Sequence, residues 1–110
     1  MPVSLNDLKE ALVALTDKVY HYTAPSNQTV PYIVWAEDYR TDLLADNKHV
    51  EAGIEGTIDL FTPDEDDPLM TAIPHALNEL PMAWNLNSVQ YEEDTGLIHY
   101  EWVWRIYGQI

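Results

Sequence analysis

The sequence predicts an α+β fold: one small domain, residues 1–110, in which an antiparallel sheet of about four strands carries two helices on one face, in the order α-β-β-α-β-β. Three observations predict it. Apolar residues recur at helical spacing near the start of the chain and again after residue 68, strict two-residue alternation fills 50–60 and 98–106, and the links between the later strands are short and hairpin-like. A chain of 110 residues has room for one core, and 46% hydrophobic content with four tryptophans is far above what a disordered chain carries.

The first helix begins at Ser4 and Asp7, an S-x-x-D start, after which Leu5, Leu8, Leu12, Leu15 and Val19 fall on one stripe. "HYTAPSNQTVP" then reads as an extended surface connection, with its two prolines and small polar residues. "YIVWAEDY", residues 32–39, is rich in aromatic and β-branched residues and reads as a strand ending near Tyr39 or Arg40. "RTDLLADNK" is expected to be a polar loop that carries Leu43 and Leu44.

From Val50 to Leu60 the chain alternates: Val50, Ala52, Ile54, Ile58 and Leu60 face one way, Glu51, Glu55, Thr57 and Asp59 the other. Gly56 lies on the apolar side, where its missing side chain would admit a bulky neighbour such as a tryptophan. "PLMTAIPHALNEL" reads as the second helix, with a kink or a short first turn expected at Pro74. The remainder reads as a hairpin turning at "EEDTG", with Gly96 supplying the positive φ. In its second strand Ile98, Tyr100, Trp102, Trp104 and Ile106 share a core face, and His99, Glu101, Val103 and Arg105 share the other.

Charge restricts function. Nineteen Asp and Glu against five Lys and Arg give a net charge of −14, a field that repels phosphate backbones and anionic lipids. There is no cysteine, hence no disulfide framework, thiolate metal site or cysteine nucleophile. The start lacks the basic-then-apolar pattern of a signal peptide and no run reaches membrane-spanning length, so the expected setting is the cytosol, with no membrane partner. The Asn27 sequon is then a chance match.

"TPDEDDP", residues 62–68, has adjacent acids, no glycine and a proline near each end, which is the wrong spacing for an EF-hand calcium loop. The simpler reading is that Asp66 or Asp67 caps the second helix and Pro68 occupies its first turn. His75 with Glu79, and His49 with Glu51, each place two potential ligands on one face, short of the three or four that a zinc site needs; no metal and no cofactor is expected. No G-x-S-x-G elbow, Gly-rich phosphate loop or H-E-x-x-H occurs, so no catalytic residue is assigned and the chain is not expected to be an enzyme. Tyr100, Trp102 and Trp104 could form a base-stacking platform, but such platforms sit in basic grooves, and a buried core is the stronger reading.

Taken together, "VYHYTAPSNQTVPYIVW", "ADNKHVEAGIEGTIDLFTPDEDDP" and "DTGLIHYEWVWRI", in this order, resemble the tail-completion or tail-terminator proteins of long-tailed bacteriophages and prophages, relatives of head-tail joining and minor neck proteins. The likeness runs from the first helix to about Ile106 and rests on structural phrases, with no catalytic signature; Pro74 and the strong acidity depart from it. The resemblance implies a small α+β domain and a structural role in the virion. Subunits would assemble in the host cytoplasm as a homo-oligomeric ring, usually of six, that caps the tail tube. Its partners would be further copies of itself, the major tail tube protein and the head connector or head-completion protein, and DNA would pass through without specific binding.

In such a ring Glu51, Glu55 and Asp59 are expected to line an acidic lumen that repels phosphates. The loop with Leu43, Leu44, Asp46 and Asn47 is the candidate contact with a neighbouring subunit or the tube, against the alternative that both leucines fold back onto the core. The competing class is an acidic DNA mimic that blocks the phosphate-binding groove of a basic host protein, such as a restriction enzyme.

Overall fold

The computed structural model describes residues 3–45 and 49–107, and the side chains of these residues except 39–45 and 49–52. The elements run α1 (Leu5–Val13), β1 (Val19–His21), β2 (Tyr32–Ala45), β3 (His49–Thr62), α2 (Leu69–Asn78), β4 (Ala83–Glu92) and β5 (Leu97–Tyr107). The strands form one sheet in the order β1-β2-β3-β5-β4, antiparallel except for the β1–β2 pair. This is the predicted α+β class, with one strand more than expected.

Helix α1 starts where its sequence says it should. Ser4 and Asp7 form a capping box, the Asp7 backbone N–H donating to Ser4 Oγ at 3.1 Å and the Ser4 N–H to Asp7 Oδ2 at 2.9 Å. The helix ends at Val13, however, two turns before the apolar stripe does. Val19 belongs to β1, which lies parallel to β2 with Val19 opposite Ile33. The segment read as a surface connection therefore begins with a short strand, and residues 22–31 carry the chain back for the parallel pairing.

The second correction concerns residues 40–45, which form no loop: β2 continues through them and pairs with β3 as far as Ala45 opposite His49. A register shift between Glu37 and Tyr39 marks a bulge at Asp38. Among the described residues, pairing of β3 with β5 begins at Gly53, so Asp42–Ala45 and His49–Ala52 have only each other as strand partners there. They extend the sheet as a two-stranded arm, and the molecule measures 50 × 26 × 23 Å. Its radius of gyration of 15.0 Å exceeds the about 13 Å of a compact chain of this length.

One sheet face carries the core. Leu8 and Leu12 of α1 and Ile73 and Leu77 of α2 pack with Ile33, Trp35, Ile58, Leu60, Trp102, Trp104 and Ile106. Each fully buried aliphatic side chain contributes about 1.5–3 kcal/mol, so this layer supplies most of the driving force. Gly56 sits opposite Trp104, and a Cβ there would lie 2.4 Å from the indole and 2.0 Å from the Ala36 carbonyl oxygen. The glycine is the notch that admits the tryptophan.

The acidic run leads into α2, but the N-cap position is Pro68, which was expected in the first turn, and the contact from Asp67 comes from one residue before it. Asp67 is buried; its Oδ1 accepts the Leu69 N–H at 2.8 Å and its Oδ2 the Thr62 hydroxyl at 2.7 Å. Asp64 accepts the Asp66 N–H at 2.9 Å, so the loop's carboxylates knit the turn together. Helix α2 is unbroken for ten residues across Pro74, where a kink or short first turn was expected. Gly96, with φ of 72°, closes the β4–β5 turn.

Candidate functional site

The other face of the sheet is where polar and titratable groups meet. Strand register brings Val34, Asp59 and Glu101 side by side, and in the next row Tyr32, Phe61 and His99. The rings of Tyr32 and Phe61 stack with centroids 4.9 Å apart, and those of Phe61 and His99 at 4.3 Å. Residues 22–28 arch over this floor, leaving a cleft of about 580 Å³ walled by Tyr22, Pro25, Gln28, Phe61, His99 and Glu101 among others.

His99 lies between two carboxylates. Its Nε2 is 2.6 Å from Asp59 Oδ1 and its Nδ1 is 3.5 Å from Glu92 Oε2. Burial pushes the Asp59 carboxyl above its ordinary value, with Glu101 adding to the rise and the His99 contact opposing it. Along the same face Arg105 donates from Nε to Glu55 Oε1 at 2.8 Å and forms a second contact through Nη2. Asp38, pushed out by the β2 bulge, is raised by burial and then by the charges of Glu101, Glu55 and Glu37.

The row expected to line a lumen is thus placed in part. Glu55 and Asp59 do share this face, and each is engaged by a basic group of β5. Glu51 lies on β3, and its side chain falls outside the description. Leu43 and Leu44 are strand residues of the arm, opposite Glu51 and Val50, and their side chains too are outside the description; Asp46 and Asn47 lie outside the described residues altogether. Tyr100, Trp102 and Trp104 are buried in the core, so they offer no stacking platform.

Alternation alone had put His99, Glu101 and Arg105 on one face and Asp59 and Glu55 on another strand's outer face. What sequence reasoning missed was that register makes these faces one and pairs the residues across it. Asp38 and the residues 22–28 over the cleft were missed as well, since neither a bulge nor a crossing loop leaves a spacing signal. Both ring nitrogens of His99 face carboxylates and no hydroxyl, and no group of three His, Asp or Glu residues is disposed to hold a metal among the described residues. The floor's chemistry is acidic and aromatic, which suits cationic or apolar contacts and opposes phosphate. No helix among the described residues is long and apolar enough to cross a membrane.

No protein-family model matches this sequence, and no curated protein does. Solved structures do match: a chain from the virion of a native gene transfer agent particle superposes with a TM-score of 0.60 at 13% identity, over 91% of this chain and 90% of that one. Nearly end to end, this chain has the fold of a chain found in a virion.

Proposed function

We propose that this chain is a structural protein of a long-tailed phage or prophage virion, forming a ring of six subunits at the head-proximal end of the tail tube. There it terminates tail elongation and presents the surface on which the head docks. The observation that carries the proposal is the fold shared over 91% of the chain with a chain of a virion. The sequence resemblance to tail-terminator proteins supports the particular position. No catalytic role is proposed.

The arm supports an assembly role physically. A two-stranded ribbon is marginal by itself in water, and contact with a neighbouring subunit or the tube protein stabilises it. We place the part of the expected contact that carries Leu43 and Leu44 on this arm. We also propose that the acidic sheet face, with Glu51, Glu55, Asp59 and Glu101, lines the lumen; the Arg105 guanidinium offsets only part of its charge. The mimic reading is weaker on the same observation, because carboxylates held by neighbouring basic groups are poor copies of a free phosphate row.

The test is labelling of purified particles with an antibody to this chain. Label confined to the junction of head and tail is the expected result; absence from particles, or label at the distal tip, contradicts the proposal. Replacing Glu51, Glu55 and Asp59 by their amides should slow genome ejection from assembled particles, and unchanged kinetics would remove the lumen.

A further inference from the structure

The two edges of the sheet differ from the rest of the surface in the same way. Among the described residues strand β4 pairs only with β5, and its residues Trp84, Leu86, Val89 and Tyr91 lie opposite Trp104, Trp102, Tyr100 and Ile98, on the core side of the sheet. A bulge at Asn87 resets the alternation so that Val89 and Tyr91 stay on that side. The core cluster takes in Trp84 but stops short of the other three, which are 49%, 51% and 64% exposed at Leu86, Val89 and Tyr91. At the opposite edge, Tyr22 follows β1 and is 56% exposed, and Val30, whose carbonyl oxygen accepts from Lys18 Nζ at 3.3 Å just before β1, is 39% exposed. Of the exposed large hydrophobic residues, only Val13 at the end of α1 lies elsewhere among the described residues.

Charge marks the same two places. Residues 19–36 and 80–91 contain no Asp, Glu, Lys or Arg, in a chain with 19 acids and five bases. Residues 68–78 are also uncharged, yet α2 exposes no large hydrophobic side chain. Sheet edges left open in solution are normally guarded by charge, proline or bulges, and between Met82 and Tyr91 only the bulge is present. Interface cores are depleted of charge and enriched in tyrosine. A basic partner would be drawn to the acids, which at β4 lie elsewhere and at the β1 edge are Glu37 and Asp38 beside Tyr22, with the Lys18 ammonium on the Val30 carbonyl; a second copy of an acidic chain approaches with least repulsion where charge is sparsest.

We infer that the β4 face of one copy packs against the β1 edge, around Tyr22 and Val30, of the next. Two different patches at opposite ends of a sheet make a head-to-tail contact, which closes into a ring when the rotation per step allows. This inference rests on the ring of the proposed function and specifies its contact surfaces.

The absence of native cysteine makes the test clean. Val30→Cys and Val89→Cys are made singly and together in the full chain, treated with a bifunctional maleimide, and read by denaturing gel and native mass spectrometry. A head-to-tail contact gives a ladder ending in a closed ring from the double variant, a dimer from the mixed single variants, and no product from either single variant alone. Covalent dimers of Val89→Cys alone would show β4 meeting β4 and overturn the inference. Absence of cross-links while the unsubstituted chain sediments as an oligomer would overturn these surfaces and leave the ring. A chain that stays monomeric at every concentration and gives no cross-link overturns the inference, and particle labelling then decides the virion role separately. Val89→Lys, at a half-exposed site, should weaken self-association roughly tenfold, equivalent to about 1.4 kcal/mol, with an unchanged unfolding midpoint.

Discussion

Gly56 and Trp104 illustrate how much of this fold rests on single contacts. The indole fills the space where any other side chain at 56 would begin, and the Ala36 backbone closes the opposite wall. Gly56→Ala therefore cannot be relieved by a rotamer change alone. We expect a loss of about 3 kcal/mol or more in urea unfolding, at the upper end of overpacking costs; a loss below about 1 kcal/mol would mean that the strands separate more easily than the register implies. Asp59 makes a prediction about pH. Burial raises its carboxyl above the ordinary 3.8, so the folded chain takes up this proton at a higher pH than the unfolded chain does. Its contribution to stability thus worsens as pH rises from 3.8 through the raised value and is constant above it. Compared with Asp59→Asn, the unsubstituted protein should gain stability on acidification through that window, measured by urea unfolding at a series of pH values. The opposite trend would show that the bond to His99 outweighs burial.

Among the elements, α2 and the arm are the informative ones. Asp67→Ala removes an acceptor from both the Leu69 N–H and the Thr62 hydroxyl. Losing that contact at the helix start, with a stranded buried hydroxyl, should cost about 2 kcal/mol, and Asp66→Ala, at an exposed site, under about 0.5 kcal/mol. Replacing residues 43–51 by Asn-Gly, which joins the paired Asp42 and Ala52 in a two-residue turn, should leave the stability of the body within about 1 kcal/mol and abolish assembly into particles. The elements legible in the sequence were those whose signals are local: the Ser4–Asp7 box, the alternation of β3 and β5, the Gly96 turn and the helix start just after Asp67. Two were misread because the signal was ambiguous. Val19 continues the α1 stripe at helical spacing and is equally suited to a strand, and pairing with β2 decides between them. "RTDLLADNK" has loop composition, yet β3 offers it a partner over its first six residues, through Ala45, and partners outweigh propensity in strands. The candidate site was legible only as separate faces, because His99 meeting Asp59 depends on register between residues 40 positions apart.

At the scale of the molecule, a net charge of −14 sets the terms of association. Copies repel at long range, so self-association through charge-poor edges should strengthen as salt rises from low to physiological, where the screening length shortens to about 8 Å. An acidic mimic gripping a basic protein would show the reverse dependence, which makes sedimentation at several salt concentrations a direct comparison of the two readings. The proposed ring would use the outstretched arm and the charge-poor edges, and one measurement tests that proposal most directly. Electron microscopy of particles assembled without this chain should show normal heads beside unattached tails of irregular or excessive length. Intact, infectious particles with tails of normal length would contradict the proposed role.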